Sequence, residues 1–151
     1  MRSRKLWSAA EVAVAIAAAD QLVKLLVRHE ADRLPAMAFR GVGLQISYNT
    51  GVSFGRLQGG GWVLFAAVTG VIVVLCVLAW RLPERYTIPI ALIVGGAAGN
   101  QIDRLRFGAV LDFFVIGPWP NFNLGDVAIV GGAALVAWRA LRGDGAGGAR
   151  A

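Results

Sequence analysis

Four long apolar stretches dominate this chain, and the clearest runs from Trp62 to Trp80 without a charged residue. Its length is close to the roughly 20 residues that a helix needs to cross a bilayer core, and tryptophans favour the two membrane interfaces. The stretches Tyr86 to Ile102, Leu124 to Leu141 and Trp7 to Val27 have similar lengths. With 57% apolar residues and a mean hydropathy of +0.62, the chain is predicted to be an all-α membrane protein with four transmembrane helices.

The first stretch is the least uniform, because it contains Glu11, Asp20 and Lys24. A cleaved signal peptide is the alternative, since basic residues precede the apolar run and Ala17 to Ala19 look like a cleavage site. Glu11 would interrupt the apolar core of such a peptide, however, and the apolar pattern continues to Val27. An uncleaved first helix is therefore the preferred interpretation.

The distribution of charge indicates the partners of the chain. The formal net charge is +6, but the arginines are scattered between apolar runs and form no basic stripe. This pattern argues against a nucleic-acid partner and favours anionic membrane lipids. One cysteine and one histidine are too few for an ordinary zinc site, so no metal and no other cofactor is predicted.

Four spans would place both termini on the same side of the membrane. The termini and the turn after the second helix together carry eight lysines and arginines, whereas the opposite side carries six. The positive-inside rule therefore favours cytoplasmic termini. In that orientation the unusual polar residues gather near the outer surface: Asp20, Lys24, Asn49, Asn100, Arg104, Asp112 and Asp126.

The connection between the first two helices has its own pattern. From Val42 to Asn49, apolar residues alternate with polar or small ones, which predicts a half-buried strand whose polar face carries Gln45, Ser47 and Asn49. Residues 1–142 are predicted to form one domain. The glycine-rich tail, residues 143–151, is predicted to be flexible.

Asp112 and Asp126 lie on either side of a short loop that contains Gly117 to Pro120. An ionisable residue at membrane depth is costly and indicates a functional site. If this loop closes two helices and brings the carboxyl groups together, they can share one proton. The ionised group then takes a proton from an attacking water, and the protonated group donates to the carbonyl oxygen of a peptide bond.

Structural roles are the alternative for these polar residues. Asn123 and Asp126 have the spacing of a helix N-cap and its third helical residue. That role is compatible with catalysis, because a capped helix start holds the carboxylate in place. Asp20 and Lys24 are four residues apart, acid first, which favours an ion pair on one helix face.

Five segments, in this order along the chain, together resemble the lipoprotein signal peptidase family, also called signal peptidase II. They are Asp20-Gln21 with Lys24, Asn49 to Gly55, Gly99 to Arg104, Val110 to Phe113, and Phe122 to Asp126. No segment is decisive alone, but together they span roughly Asp20 to Ala134.

The resemblance implies an aspartic endopeptidase with Asp112 and Asp126 as its catalytic dyad. It implies that a second group lines the site and holds the substrate or the dyad: Asn49, Asn100, Arg104 and Asn123. A third group would support the site: Asp20, Lys24, Gly51 and Asp103. The family also has an extracytoplasmic β-strand cradle, which fits the strand predicted at Val42 to Tyr48.

The resemblance also implies a substrate and a location. The substrate would be a prolipoprotein whose cysteine already carries diacylglycerol, and cleavage would occur just before that cysteine. The enzyme would be a multi-pass protein of the bacterial cytoplasmic (inner) membrane, with its site near the extracytoplasmic face.

Three features depart from the family pattern. The family usually has alanine where this chain has Ser53 and Gly125, and its connection between the two aspartates is usually longer. Gly125 is expected to loosen the backbone beside Asp126, and the short connection to alter substrate choice. These departures affect efficiency and specificity more than the type of reaction.

Other classes of protein remain as alternatives. The GxGD motif of intramembrane proteases requires glycine where this chain has Asn123, and a serine–lysine dyad would need Ser47 or Ser53 near Lys24. A catalytically retired paralogue that binds lipidated peptides, or a membrane protein that uses buried acids as a proton relay, would not be an enzyme. Substitution of each aspartate distinguishes these, since only an enzyme loses peptidase activity.

Overall fold

The computed structural model describes residues 2–30, 37–39, 41–51 and 60–143. These residues form four long helices, α1 (Arg2–His29), α2 (Gly60–Arg81), α3 (Thr87–Phe107) and α4 (Leu124–Gly143). A short 3₁₀ helix, Glu84–Tyr86, connects α2 to α3. The four apolar stretches of the sequence are therefore helical. The predicted tail beyond residue 143 and the position of Ser53 lie outside the described residues.

Two of the helices are long and apolar enough to cross a membrane, over Gly61–Arg81 and Leu124–Arg142. Few of their side chains are buried within the protein, which is expected where the surrounding medium is lipid. Helices α1 and α3 are comparably long, but their facing sides carry a buried network of charged and amide groups.

Three antiparallel strands form a sheet in the order β1 (Met37–Phe39), β2 (Val42–Asn49), β3 (Val110–Ile116). The strand predicted at Val42 to Asn49 is confirmed as β2. Strand β3 was not predicted. The two aspartates were expected to lie on two helices joined by a loop, and this expectation is wrong because Asp112 lies on a strand. Asp112 is the third residue of β3, and only the turn that follows β3 leads to α4.

A β-bulge in β2 changes which of its residues lie on the same face of the sheet. Leu44 pairs with Phe114 and Ser47 pairs with Asp112, so three steps along β2 match two steps along β3. Because residues directly opposite each other share a face, Leu44 lies on the same face as Ser47. The strict alternation predicted for this strand therefore does not hold across the bulge, and the polar face that meets Asp112 begins only at Ser47.

Helix α3 lies between α1 and α4 and approaches both closely at glycines. A Cβ atom added at Gly95 would lie 2.6 Å from the carbonyl oxygen of Ala13, and one at Gly99 would collide with Asp20. Gly95 and Gly99 thus allow α1 and α3 to come into close contact. On the other side of α3, Gly96 packs directly against the backbone of Gly125.

Two adjacent glycines of α4 provide a matched test of this packing. A Cβ atom at Gly132 would lie 2.6 Å from the carbonyl oxygen of Pro89, whereas no described atom lies within 4 Å of one at Gly131. We expect Gly132→Ala to lower the free energy of unfolding by about 1–3 kcal/mol through overpacking, and Gly131→Ala to leave it unchanged. Unfolding in detergent micelles measures both, and equal stabilities would contradict the helix contact described here.

Candidate active site

The start of α4 fixes the carboxyl group of Asp126 through a reciprocal cap. Asp126 donates its backbone N–H to Oδ1 of Asn123 at 3.0 Å, and its Oδ2 accepts the backbone N–H of Asn123 at 3.0 Å. This is the predicted capping arrangement. Its other oxygen, Oδ1, accepts a hydrogen bond from Nδ2 of Asn100 on α3 at 2.9 Å. These hydrogen bonds fix both oxygens of the Asp126 side chain.

Asp112 projects from β3 and is only 2% exposed. Its Oδ1 accepts a hydrogen bond from Nδ2 of Asn123 at 2.6 Å, and its Oδ2 accepts one from Nδ2 of Asn49 at 3.1 Å. Burial raises the pKa of the Asp112 carboxyl above its ordinary value, and the nearby charge of Asp126 acts in the same direction. The hydrogen bonds from the two asparagines and the charge of Lys24 oppose this rise.

The side chain of Asn123 joins the two aspartates. Its Nδ2 donates to Asp112 and to Oδ1 of Asn100, while its Oδ1 accepts the backbone N–H of Asp126. Asn123 is completely buried, so this geometry is fixed by packing as well as by hydrogen bonds. The structure thus brings Asp112, Asp126, Asn100 and Asn123 into one network.

A turn at the end of β2 presents Asn49 to this network. The Oδ1 atom of Asn49 accepts the backbone N–H of Gly51 at 2.9 Å, which leaves Nδ2 to reach Asp112. Gly51 has φ of +76°, and an added Cβ would collide with Leu64. The positive φ favours glycine at this position.

A second network contains a buried lysine and is joined to the first network through Asn100. The ammonium of Lys24 lies 2.7 Å from Asp20 and 3.0 Å from Asp103, and it donates to Oδ1 of Asn100 at 2.9 Å. Lys24 is 1% exposed and both carboxylates are completely buried. The predicted pair of Asp20 with Lys24 is confirmed. We call Asp20, Lys24 and Asp103 the ion-pair cluster.

The ion-pair cluster also holds the backbone beside each dyad residue. Asp103 accepts the N–H of Leu111 at 3.1 Å, and Asp20 accepts the N–H of Gly125 at 2.8 Å. Leu111 directly precedes Asp112, and Gly125 directly precedes Asp126. One lysine therefore connects the two carboxylates that position β3 and α4.

The expectation that Gly125 loosens the backbone is wrong. Gly125 is buried, its N–H is bonded to Asp20, and an added Cβ would lie 2.9 Å from the carbonyl oxygen of Gly96. The same Cβ would lie 3.0 Å from Oδ1 of Asn123. The glycine permits close packing of α4 on α3 and leaves little freedom at this point.

Arg104 lies on α3 near the dyad but does not join the hydrogen-bond network of the aspartates. Its Nη1 donates to Gln101 at 3.3 Å, and its buried Nε has no hydrogen-bond partner within the described part of the chain. The side chain lines a cavity of about 110 Å³ together with Trp62 and Phe65. A donor without a partner beside a cavity is available to a substrate carbonyl.

Two glutamines belong to the site although the sequence did not single them out. Gln21 donates to the carbonyl oxygen of Gly99 and to Asp103, and Gln101 donates to Phe65 and Thr69 of α2. Both lie inside segments that carried the family resemblance. An uncharged amide gives no signal of burial in a single sequence, so their roles appear only in the structure.

The geometry argues against a serine–lysine dyad that uses Lys24 and Ser47. The ammonium of Lys24 is directed to Asp20, Asp103 and Asn100, so it does not act as a base for Ser47, and Ser53 lies outside the described residues. No group of three or more histidine, cysteine, aspartate or glutamate residues suited to a metal ion occurs in the described ranges.

Comparisons with known proteins agree on one family. A model of the signal peptidase (SPase) II family matches residues 12–142. A lipoprotein signal peptidase of Moorella thermoacetica is 38% identical over 136 residues, which cover 86% of this chain and 90% of that protein. One from Syntrophomonas wolfei is 42% identical over 98 residues, 62% of this chain and 66% of that protein.

Two solved structures of bacterial membrane enzymes share the fold. They superpose with TM-scores of 0.76 and 0.79, each at 23% sequence identity. The first covers 95% of this chain and 93% of the solved chain, and the second covers 89% and 92%.

Removing the lysine tests the ion-pair cluster. We expect Lys24→Met to lower the free energy of unfolding by about 3–5 kcal/mol, because it leaves two buried carboxylates without their cation. Arg142→Met, which removes a cation at the exposed end of α4, is the control and should change stability little. Unfolding of both variants in the same detergent provides the measurement, and a Lys24→Met protein as stable as the control would disprove the structural role.

Proposed function

The chain belongs to the signal peptidase II family of proteases, which remove signal peptides from prolipoproteins, and we propose that Asp112 and Asp126 form its catalytic dyad. The observation that carries this proposal is Asn123, which donates its side-chain N–H to one aspartate and its backbone N–H to the other. Two carboxyl groups held together in this way can share one proton and act on a water molecule and a peptide bond together.

We assign the two aspartates different roles. In our proposal Asp112 is the general acid, because burial and the charge of Asp126 raise the pKa of its carboxyl. Asp126, held in place by Asn100 and by the backbone N–H of Asn123, takes a proton from the attacking water. The proton on Asp112 passes to the carbonyl oxygen, and the leaving amine is protonated as the tetrahedral intermediate breaks down.

The four proposed binding residues divide into two kinds. Asn100 and Asn123 donate to the aspartates and hold them in place. Asn49 lines a polar cavity of about 420 Å³ that reaches Asp112, and Arg104 faces its own smaller cavity. In our proposal the peptide chain of the substrate passes Asn49, and the unpaired Nε–H of Arg104 donates a hydrogen bond to a carbonyl oxygen of the substrate.

We further propose that the substrate carries diacylglycerol on its cysteine and is cut just before that residue. The site is assembled at one end of the helices, beside the sheet, where a lipid-anchored peptide arrives from the membrane surface. Acyl chains that stay among apolar groups would fix the depth of the cysteine and so position the preceding peptide bond against the dyad.

The proposed location is the bacterial cytoplasmic membrane, crossed by all four helices, with cytoplasmic termini. The buried charges of α1 and α3 are paired: Asp20 and Asp103 lie against Lys24, and Arg28 lies 3.6 Å from Asp103. Intramembrane charges that face a helix interface and pair with one another are much less costly than isolated ones.

The dyad is tested by removing one titratable group at a time. We expect Asp112→Asn and Asp126→Asn each to reduce cleavage of a diacylglyceryl-modified prolipoprotein by at least the 10²–10⁴-fold that a general acid or base provides. Ser47→Ala is the control and should retain activity. Turnover by either asparagine variant at a rate near that of the unmodified protein would refute the two-aspartate mechanism.

The hydrogen bond from Asn49 gives a prediction for pH dependence. It lowers the pKa of Asp112, so Asn49→Ala should raise that pKa further. In a dyad that works with one proton, the higher apparent pKa sets the alkaline limb of the activity profile. We expect that limb to move to higher pH in Asn49→Ala and to stay in place in Ser47→Ala. A limb that moves to lower pH would contradict the assignment of Asp112 as the acid.

The orientation is tested with reporter fusions. A reporter placed after Arg142 should be found in the cytoplasm, and one inserted at Gly60 should be found outside it. The charge bias of the sequence and the need to act on exported substrates both support this result. The inverted pattern would place the dyad on the cytoplasmic side and exclude the proposed substrate.

A further inference from the structure

Gln101 is a buried amide that joins α3 to α2 near the two aspartates. It is 6% exposed, and its Nε2 donates to the carbonyl oxygen of Phe65 at 2.9 Å and to Oγ1 of Thr69 at 2.8 Å. The hydroxyl of Thr69 in turn donates to the same carbonyl oxygen at 2.8 Å. Two acceptors on α2 therefore fix which end of the amide faces that helix.

The orientation of this amide determines what it presents to Arg104. Since Nε2 is directed to α2, Oε1 is directed to Arg104, whose Nη1 donates to it at 3.3 Å. The reversed amide would place N–H groups against the guanidinium, which can only donate, and an oxygen against the carbonyl of Phe65. The contacts with α2 therefore select the orientation in which Gln101 can hold Arg104.

The cavity beside Arg104 has walls on both of these helices. Trp62 and Phe65 line it from α2, with their rings edge to face at 5.8 Å, and Arg104 lines it from α3. Phe65 thus contributes its side chain to the cavity and its backbone carbonyl to Gln101. Because the N–H groups of a guanidinium lie in one rigid plane, a hydrogen bond at Nη1 restricts the direction of Nε–H. Gln101 therefore links the two walls and orients the donor between them.

Electrostatic attraction acts on Arg104 in a different direction. Arg104 follows Asn100 by one helical turn, and Asn100 donates to Asp126, so both side chains project from nearly the same side of α3. The charges of Asp126, Asp112 and Asp103 attract the guanidinium, yet Arg104 forms no ion pair with them in the described ranges. An ion pair with the dyad would favour ionisation of both carboxyl groups and would occupy the donor offered to the substrate.

We propose that Gln101 is a positioning residue that holds Arg104 beside α2, turned to the substrate cavity and away from the two aspartates, an assignment that rests on the proposed function. Through Gln101 the backbone of α2 sets the direction of a side chain on α3. Methionine at this position would fill a similar space between the helices, but it would offer the guanidinium no comparable acceptor.

Gln101→Met tests this role in the purified full chain, with a diacylglyceryl-modified prolipoprotein as substrate in detergent. We expect KM to rise about 10-fold, because the substrate loses an oriented, charged hydrogen-bond donor. We also expect the alkaline limb of the activity profile to move to lower pH. Arg104, once released, pairs with the aspartates and lowers the apparent pKa that sets this limb, while Lys24 of α1 and Asp103 of α3 keep their charges.

Ile90→Val is the matched control for the contact between the helices. Ile90 of α3 is 3% exposed and lines another cavity together with Cys76 and Ala79 of α2, so its truncation loosens the same helix pair elsewhere. This variant should keep the KM and the alkaline limb of the unmodified protein. An unmoved limb in Gln101→Met, or the same shift in Ile90→Val, would overturn the positioning role and leave Gln101 as a link between helices.

A double-mutant cycle with Arg104→Met tests whether Gln101 acts through Arg104. With enzyme in excess over substrate, Gln101→Met should cause no further loss of kcat/KM in the Arg104→Met protein, whereas independent losses that multiply would refute the proposal. Thr69→Val removes one acceptor of the Gln101 amide and should move the limb less far in the same direction. It decides the question where Gln101→Met does not fold, and the limb decides it where Arg104→Met cleaves too slowly to measure.

If the unmodified protein does not cut the precursor, the proposed function itself fails, and the role of Gln101 in it fails as well. That result differs from the previous ones, because those are measured against normal cleavage by the unmodified protein.

Discussion

The position of Lys24 between Asp20 and Asp103 is the interaction on which the rest of the site depends. The cluster joins α1 to α3, and its two carboxylates accept the N–H groups of Gly125 and Leu111. A charge buried among apolar helices is tolerated only when it is paired and its hydrogen-bonding capacity is used. Here the hydrogen bonds that satisfy the two buried carboxylates also fix the backbone one residue before Asp112 and one residue before Asp126. The interactions that offset the cost of burying these charges therefore also set the geometry of the site.

The layer above the cluster uses amides for a different physical reason. A carboxylate can only accept hydrogen bonds, whereas an asparagine side chain both donates and accepts. Asn100 and Asn123 can therefore link Lys24, Asp112 and Asp126 without adding charge. A lysine in their place would pair with the dyad and favour ionisation of both aspartates. With neutral donors, burial keeps the pKa of Asp112 raised, and the hydrogen bonds from Asn49 and Asn123 oppose that rise only in part.

The sequence predicted the parts of the molecule that follow from periodicity and local pairing. Uncharged stretches gave the helices, alternation gave β2, and the spacing of Asn123 and Asp126 gave the cap at the start of α4. It missed β3, because Val110 to Ile116 is a short apolar run that periodicity cannot assign to strand or helix. The bulge in β2 and the contacts of Asp103 were also missed, since they depend on pairing between segments far apart in the chain.

Gly125 shows why a departure from a family pattern cannot be interpreted by residue type alone. Taken by itself, a glycine beside a catalytic group indicates mobility. In the structure its N–H is bonded to Asp20, and an added Cβ would meet Gly96 and Asn123. The absence of a side chain lets α4 approach α3 closely at this point. A methyl group here would lie 2.9 Å from the carbonyl oxygen of Gly96, so the conformational freedom of this glycine matters less than the space it leaves.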